Sequence, residues 1–357
     1  MNFNIIEHGK IYHNPDSFFK YCGWPTVCKD EEGTLYAVCS GFRVAHICPF
    51  GKTVLFKSFD DGKTWSIPMV INDTYLDDRD AGIVCLGGKT MLASWFSHPA
   101  QVYLTQYKEH ITRSWNGSAS VLDMYDILPD AHRKGGSFVR LSYDGGFSWG
   151  QTVQVPVSTP HGPILKKDGT LFYLGKEFHS SGAEKPKVIS AWDSRDGKNW
   201  NPCGIVKIPA GTELDNFHEP YAVELPNGKI LAFLRAENMK TKPTFTMYKT
   251  ESIDGGKTWS ECTPTGISGS PPHLLKHSSG AVILTYARRE QPFGERAVIS
   301  CDNGESWSEE RIISEAKSSD IGYPSSVELS DGSILTVYYQ QYENDDFPSL
   351  LYTRWTI

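Results

Sequence analysis

Ionisable and phenolic residues gather beside the starts and ends of short β-prone stretches in this chain. They are Arg43, His46, Asp78, Arg79, Asp80, His98, His161, Glu177, His179, Glu219, Arg235, Arg288, Arg289 and Tyr323. Three kinds of chemistry are open to them. In Asp77-Asp78-Arg79-Asp80, close carboxylates with a guanidinium between them push their pKa values apart, as an acid/base pair requires. Arg235 with Arg288 or Arg289, joined by Arg79, can clamp a carboxylate in bidentate fashion, and Arg296 competes for the third place. His46, His98, His161, His179 and His218 add bases near Arg and Tyr, the combination that β-elimination beside a carboxylate needs. The His residues show no HxxH or HExxH spacing, so no metal is expected.

These groups act together only if the stretches converge, and two interleaved repeats say that they do. The first is Ser-x-Asp-x-Gly-x-x-Trp, at Ser58 to Trp65, Ser142 to Trp149, Ser252 to Trp259 and Ser300 to Trp307, with a version one residue shorter at Ser194 to Trp200. Its chemistry is that of a hairpin turn: Asp bonds turn amides, Gly supplies positive φ and Trp packs beneath. Asp60, Asp144, Asp196, Asp254 and Asp302 are therefore read as structural. The second repeat starts at Gly23-Trp24-Pro25, Asp80-Ala81-Gly82, His161-Gly162-Pro163, His218-Glu219-Pro220, Ser270-Pro271-Pro272 and Gly322-Tyr323-Pro324. Each start leads into a strand, a Gly-containing turn and a second strand.

Six such units, each long enough for four short strands, predict an all-β fold: a six-bladed β-propeller of four-stranded antiparallel blades. It is expected to occupy 1–357 as one domain, with the stretch from Phe3 to Tyr12 closing the last blade. The second unit is the longest, which places an insertion at about 97–136. That insertion carries Trp115 and a short helix near Ser120 to Leu128, and is read either as a lid or as a surface elaboration.

Composition limits the partners. Among 357 residues, 35 Lys+Arg stand against 42 Asp+Glu, a net charge of -7, so no nucleic-acid partner is expected. No apolar run approaches the roughly 18 residues of a membrane span, so no membrane partner is expected either. The eight Cys are scattered without a CxxC pair. Together with a start that lacks the basic and apolar regions of a signal peptide, this leads to an expected cytoplasmic location with reduced thiols. No cofactor is called for.

The Ser-x-Asp-x-Gly-x-x-Trp turns resemble the Asp-box (BNR) repeats of the sialidase superfamily, and the six-unit pattern covers nearly the whole chain. Two segments carry the resemblance further. His218-Glu219-Pro220 through Asn227-Gly228 to Arg235 is similar to the sialidase segment with a catalytic Glu and a substrate-binding Arg. Gly322-Tyr323-Pro324 to Asp331-Gly332 is similar to the segment with the nucleophilic Tyr. The resemblance implies that Glu219 takes the phenolic proton while Tyr323 attacks the anomeric carbon. Two features depart from it. Gly23-Trp24-Pro25 stands where sialidases have Arg-Ile-Pro, and Tyr339-Gln340 stands where the Glu that steadies that Arg would be. His46, Cys48 and Pro49 occupy the region of the family's catalytic Asp, so Asp80 or Asp78 is the expected replacement.

The leading expectation is thus an exo-acting glycosidase on a glycan or small acidic-sugar substrate, sialic acid by resemblance. Tyr323, Glu219 and Asp80 or Asp78 are its catalytic residues. Arg235, Arg288, Arg79, Arg43, His161, His218 and His46 are the substrate-binding set. One alternative is a propeller polysaccharide lyase or His-based glycosidase acting on a uronic-acid-containing glycan. Another is a non-catalytic carbohydrate-binding propeller.

Overall fold

Six antiparallel sheets succeed one another around a central axis in the computed structural model, which describes residues 3–114, 118–177, 188–239, 243 and 245–357. The first blade runs Tyr21–Lys29, Leu35–Arg43, Lys52–Ser58, Met69–Asn72 from the axis outward. The second is Asp78–Gly87, Thr90–Ser97, Gly136–Ser142, Val153–Val155. The fourth is Phe217–Glu224, Ile230–Glu237, Phe245–Ser252, Thr263–Ser268, and the fifth is His273–Lys276, Val282–Arg288, Gly294–Ser300, Arg311–Glu315. In the sixth, Gly322–Glu328, Ile334–Gln341 and Pro348–Thr356 are joined by Asn4–Tyr12, which pairs antiparallel along Pro348–Thr356. The first and last strands thereby share one sheet, which closes the ring at the sixth blade.

The third blade departs from the expected four strands. Its innermost strand is broken into Val157–Ser158 and Ile164–Leu165, both paired with Leu171–Glu177, ahead of Ile189–Ser194 and Asn201–Ile205. The break contains Pro160 and Pro163, which cannot donate to a ladder, and Gly162 at φ 72.

Packing between blades explains the first repeat. Each such turn folds on itself: in Ser252 to Trp259 the Gly256 amide donates to Ser252 Oγ at 2.9 Å and the Trp259 indole to the Gly256 carbonyl at 3.0 Å. Asp254 accepts from the Thr258 hydroxyl and amide, which hold its carboxyl down at about 2. The turn glycine then abuts the preceding blade. A Cβ on Gly256 would meet Phe172, one on Gly304 would meet Leu231, on Gly197 Leu92, on Gly146 Leu55 and on Gly62 Leu335. Five turns thus key five blades, each to its neighbour, and apolar clusters fill the space behind them. One such cluster joins Phe172, Leu174 and Ile189 of the third blade to Ile230, Ala232 and Leu234 of the fourth. The sixth blade, with no such turn, is closed by Asn4–Tyr12 instead.

Between the second and third strands of the second blade the described residues form four short helices, Ala100–Leu104, Lys108–Ser114, Ser118–Ile127 and Asp130–Arg133, where the sequence suggests one. They share a buried cluster of Tyr103, Ile111, Leu122 and Tyr125 with Leu76. Two phenols anchor them to the first blade's side: Tyr103 donates to Asp77 Oδ2 at 3.0 Å and Tyr125 to the Pro49 carbonyl at 3.2 Å. Trp115 lies outside the described residues. Among the described residues no helix is long and apolar enough to cross a membrane.

The keying of turns predicts a graded cost. Gly256→Ala places a Cβ 2.4 Å from Phe172 at φ +94, whereas Gly255→Ala suffers only its φ of +78 in open space. In denaturant unfolding, Gly255→Ala is expected to lose about 1 kcal/mol and Gly256→Ala about 2–4 kcal/mol. Equal losses would show that the turn does not key the blades.

Candidate functional site

Four of the six innermost strands begin with the same irregularity. Register with the second strand jumps between Gly23 and Thr26, Arg79 and Gly82, His218 and Tyr221, and Gly322 and Ser325, so two residues oppose one. At each of these bulges the first of the two residues has left-handed backbone: Trp24 at φ 55, Asp80 at 52, Glu219 at 44 and Tyr323 at 53. Non-glycine residues are strained there by roughly 1 kcal/mol or more, and such strain concentrates at functional positions. Three of the four are followed by Pro, which asks nothing of the ladder. The fourth shows that the blade-two start lies one residue earlier than the Gly82 mark suggests: Asp80-Ala81 is the counterpart of Glu219-Pro220.

These bulges assemble a compact ionic centre. Tyr323 donates its hydroxyl hydrogen to Glu219 Oε1 at 2.6 Å. One Nη of Arg235 bonds both, Glu219 Oε2 at 2.8 Å and the Tyr323 oxygen at 3.2 Å. The other Nη reaches Glu237 Oε2 at 2.8 Å, and Glu237 also faces His218 Nε2 at 3.4 Å. Burial alone would raise the Glu219 carboxyl, but Arg235, the Tyr323 hydroxyl and Arg289 more than reverse it and hold it below its usual range. Tyr323 moves oppositely: burial and then the Glu219 charge push its phenol well above the ordinary value. An ionised acceptor is thus in direct contact with a phenol, and a guanidinium lies against the phenol oxygen.

Asp80 and Glu219 line one cleft of ≈ 330 Å³, together with Phe96, His98, Lys176, Glu177 and His218. That volume lies within the range of small-ligand sites. Burial pushes Asp80 up to about 7, with Arg79 opposing and the Glu219 charge adding. One Asp80 oxygen, Oδ1, is buried with no hydrogen-bond partner among the described residues. The centre therefore pairs a depressed carboxylate, Glu219, with an elevated one, Asp80.

The floor beside them is aromatic. Trp24 and Tyr339, both buried, lie 5.9 Å apart between ring centroids and join Tyr21 and Tyr323 in one cluster. Gly23, beside Trp24, stands where the resemblance expects the Arg, and Tyr339-Gln340 stands where it expects the Glu, so the ion pair is absent and an aromatic cluster lies beside its place. Arg79 and Arg43 both lie on Trp24, with guanidinium carbons 4.3 and 4.6 Å from its ring. Asp77 serves both cations, as a bidentate partner of Arg43 and 3.9 Å from Arg79.

Several expected residues are not brought to the cleft. Arg43 is fully buried by Asp77, Ser40 and the His46 carbonyl. Asp78 is also sealed, its oxygens taken by Asn72, Thr74 and Ser97 at 2.7–3.0 Å. His161 lies beneath Tyr323 on the axis, bonded to Thr26 Oγ1 at 3.0 Å, and burial drives its pKa well below the usual value. Arg288 turns away to Glu310 at 3.1 Å, and Arg296 is buried among backbone carbonyls. Arg289 takes the place at the centre, 5.3 Å from the Tyr323 ring, donating to the Ile321 carbonyl at 2.8 Å and the Tyr339 oxygen at 3.2 Å. Both of those partners are neutral. Glu295 near it is pushed up to about 8 by burial against the pull of Arg289 and Arg296.

His46 keeps a partly open ring, 5.0 Å from Trp24, and its Nδ1 lies 2.9 Å from Asp320, whose carboxylate also accepts from the Tyr21 hydroxyl. Asp320, Glu237 and Lys176 were not singled out in the sequence. Glu237 follows Arg235 by two and so shares its strand face, a readable signal. Asp320 precedes its blade with no pattern to mark it. His179 lies outside the described residues. Among the described residues no cluster of His, Cys, Asp or Glu could hold a metal ion.

Comparison with known proteins agrees with this architecture. The BNR repeat-like domain family matches residues 124–336. No curated protein matches the sequence. Among solved structures, a protein of unknown function from Dyadobacter fermentans has a TM-score of 0.78 at 22% identity, covering 99% of both chains. A sialidase from Streptococcus pneumoniae gives 0.69 at 16% identity, over 97% of this chain and 70% of its own. An α-L-arabinofuranosidase from Fusarium graminearum gives 0.64 at 12%, over 98% and 97%. At such identities the likeness is one of fold, whereas the family match spans more than half the sequence. With its five Asp-box turns and six blades, this chain belongs to the BNR repeat-like domain family.

Proposed function

We propose that the protein is an exo-acting glycoside hydrolase that releases a terminal acidic sugar, sialic acid by resemblance, with Tyr323 as nucleophile. The observation that carries this is the 2.6 Å contact of Tyr323 with Glu219, bridged by Arg235. Glu219 takes the phenolic proton, and Arg235 steadies the phenolate that attacks the anomeric carbon. As the new C–O bond forms, the glycosidic C–O bond breaks and the leaving oxygen takes a proton from Asp80. Water then attacks the glycosyl–tyrosine with Asp80 as base, and the phenol recovers its proton from Glu219. A phenol suits a substrate that carries its own carboxylate, since it stays neutral until Glu219 takes its proton, whereas a carboxylate nucleophile would repel the bound substrate from the start. Arg289, whose hydrogen bonds go to neutral partners, is the cation available to that carboxylate, and Arg79, stacked on Trp24, is the second. His218 flanks the cleft on the Lys176 side.

The His46–Asp320 pair favours a second reading, a His-based glycosidase or lyase on a uronic-acid-containing glycan. Asp320 fixes the ring through Nδ1, which leaves Nε2 to act as acid or base. The structural neighbours include a sialidase and an arabinofuranosidase, which supports glycosidase chemistry at that coarse level for both readings.

Fluorogenic aryl sialosides and glucuronides separate the readings. The wild type is expected to turn over an acidic glycoside, and Tyr323→Phe or Glu219→Gln to lose at least about 10²-fold in kcat. No turnover with either class, but retained binding, would leave a carbohydrate-binding propeller. Full activity in Tyr323→Phe, or the absorbance of an unsaturated sugar, would transfer the chemistry to His46. Arg289→Lys should raise KM by about tenfold, while Arg288→Lys, tied to Glu310 in the parent, leaves it unchanged; the reverse ranking would contradict the clamp. Because Asp80 must be protonated to act as acid, kcat/KM should fall as pH rises through about 7. Asp80→Asn should abolish that limb, and its persistence would assign the acid elsewhere.

A further inference from the structure

The innermost strands of the first and second blades carry Trp24 and Asp80 at the cleft end, and at the opposite end of the axis they carry Cys28 and Cys85. There the two sulfurs lie 3.0 Å apart. Both thiols are only partly buried, and both line a second cavity of ≈ 350 Å³, with Lys29, Lys276, Tyr221 and His273. The chain offers its own contrast. Cys22 and Cys39 also contact each other, but at 1% and 0% exposure they are sealed in the core between the first and sixth blades. Contact alone therefore does not distinguish Cys28 and Cys85; contact together with access does.

We propose that Cys28 and Cys85 form a modification site, a dithiol that a small-molecule disulfide of the glutathione class converts to an inter-blade disulfide. One thiol, deprotonated, attacks the external disulfide, forming a mixed disulfide and releasing one small thiol. The neighbouring thiolate then attacks the protein sulfur of that mixed disulfide and releases the second. Two protein thiols are oxidised, one external disulfide is reduced to two thiols, and the two protein protons end on the released thiols. The sulfurs need approach by only about 1 Å to reach the bond length of ~2.05 Å. The resulting link ties the strand that bears Trp24 to the strand that bears Asp80. It also closes a loop that contains the whole remainder of the first blade, and thereby restricts the unfolded chain.

The test uses full-length protein with the exposed Cys301 replaced, Cys301→Ser, equilibrated natively with oxidised glutathione, alkylated and mapped by non-reducing mass spectrometry. The expected result is a Cys28–Cys85 cross-linked peptide, about 2 Da lighter than the sum of its reduced parts. Cys22 and Cys39 should remain unlinked and be alkylated only after unfolding. The oxidised protein should melt several degrees higher, the shift reversing with dithiothreitol and failing to occur in Cys85→Ser. Recovery of Cys28 and Cys85 as separate thiols, or as two independent glutathione adducts, would overturn the proposal. No turnover is measured, so the outcome is independent of the glycosidase reading.

Discussion

The site depends on a backbone constraint repeated around the axis: an innermost strand that starts one residue out of register with its partner. A regular strand alternates its side chains between the two neighbouring blades and offers none to the axis. The bulge supplies one extra residue, held left-handed, and so frees one side chain per blade. Trp24, Asp80, Glu219 and Tyr323 all arise this way, at φ values within about 11° of one another. The strain is tolerated because the strands around it are fixed on both sides by packed blades. Those blades are held in turn by turn glycines set against Leu and Phe side chains of the neighbouring blade.

Once the four side chains are turned inward, electrostatics sorts their roles. Glu219 receives Arg235 and stays ionised despite its partial burial; Asp80 receives less and is pushed up to about 7. The same carboxyl chemistry is split into two functions by which bulge faces which guanidinium. The cations are sorted as well. Asp77 satisfies Arg43 and Arg79, and Glu219 and Glu237 satisfy Arg235, whereas among the described residues Arg289 donates its hydrogen bonds to a carbonyl and a phenol. Charge balance, more than the number of Arg residues, therefore defines where an anionic group gains most.

Loss of the Arg–Glu pair at Gly23 and Tyr339-Gln340 follows the same logic. An isolated half of a buried ion pair is costly, so the two positions change together or not at all. Here the buried rings of Trp24 and Tyr339 lie beside those positions, and Trp24 offers a face on which Arg79 and Arg43 stack. A guanidinium thus remains at this edge of the axis although the sequence position that would supply it carries Gly23.

The sequence by itself determined the ring. Turn chemistry at Asp60, Asp144, Asp196, Asp254 and Asp302 is local, resting on bonds within a few residues, so the repeat is readable without coordinates. The Pro after Trp24, Glu219 and Tyr323 likewise marked three of the four bulges. Tertiary structure alone decided what depends on neighbours distant in the chain. Arg288 and Arg289 are adjacent and chemically identical, and only the course of the chain at the strand end sends one to Glu310 and the other to Tyr323. Asp78 and Asp80 share a strand face by alternation, yet the bulge after Arg79 leaves one sealed by Ser97 and turns the other into the cleft. Asp320 meets His46 across 274 positions, and no local pattern encodes that meeting. Local bonding writes itself into sequence; the direction of a side chain at a convergent axis is set by strand registers that only the closed ring fixes.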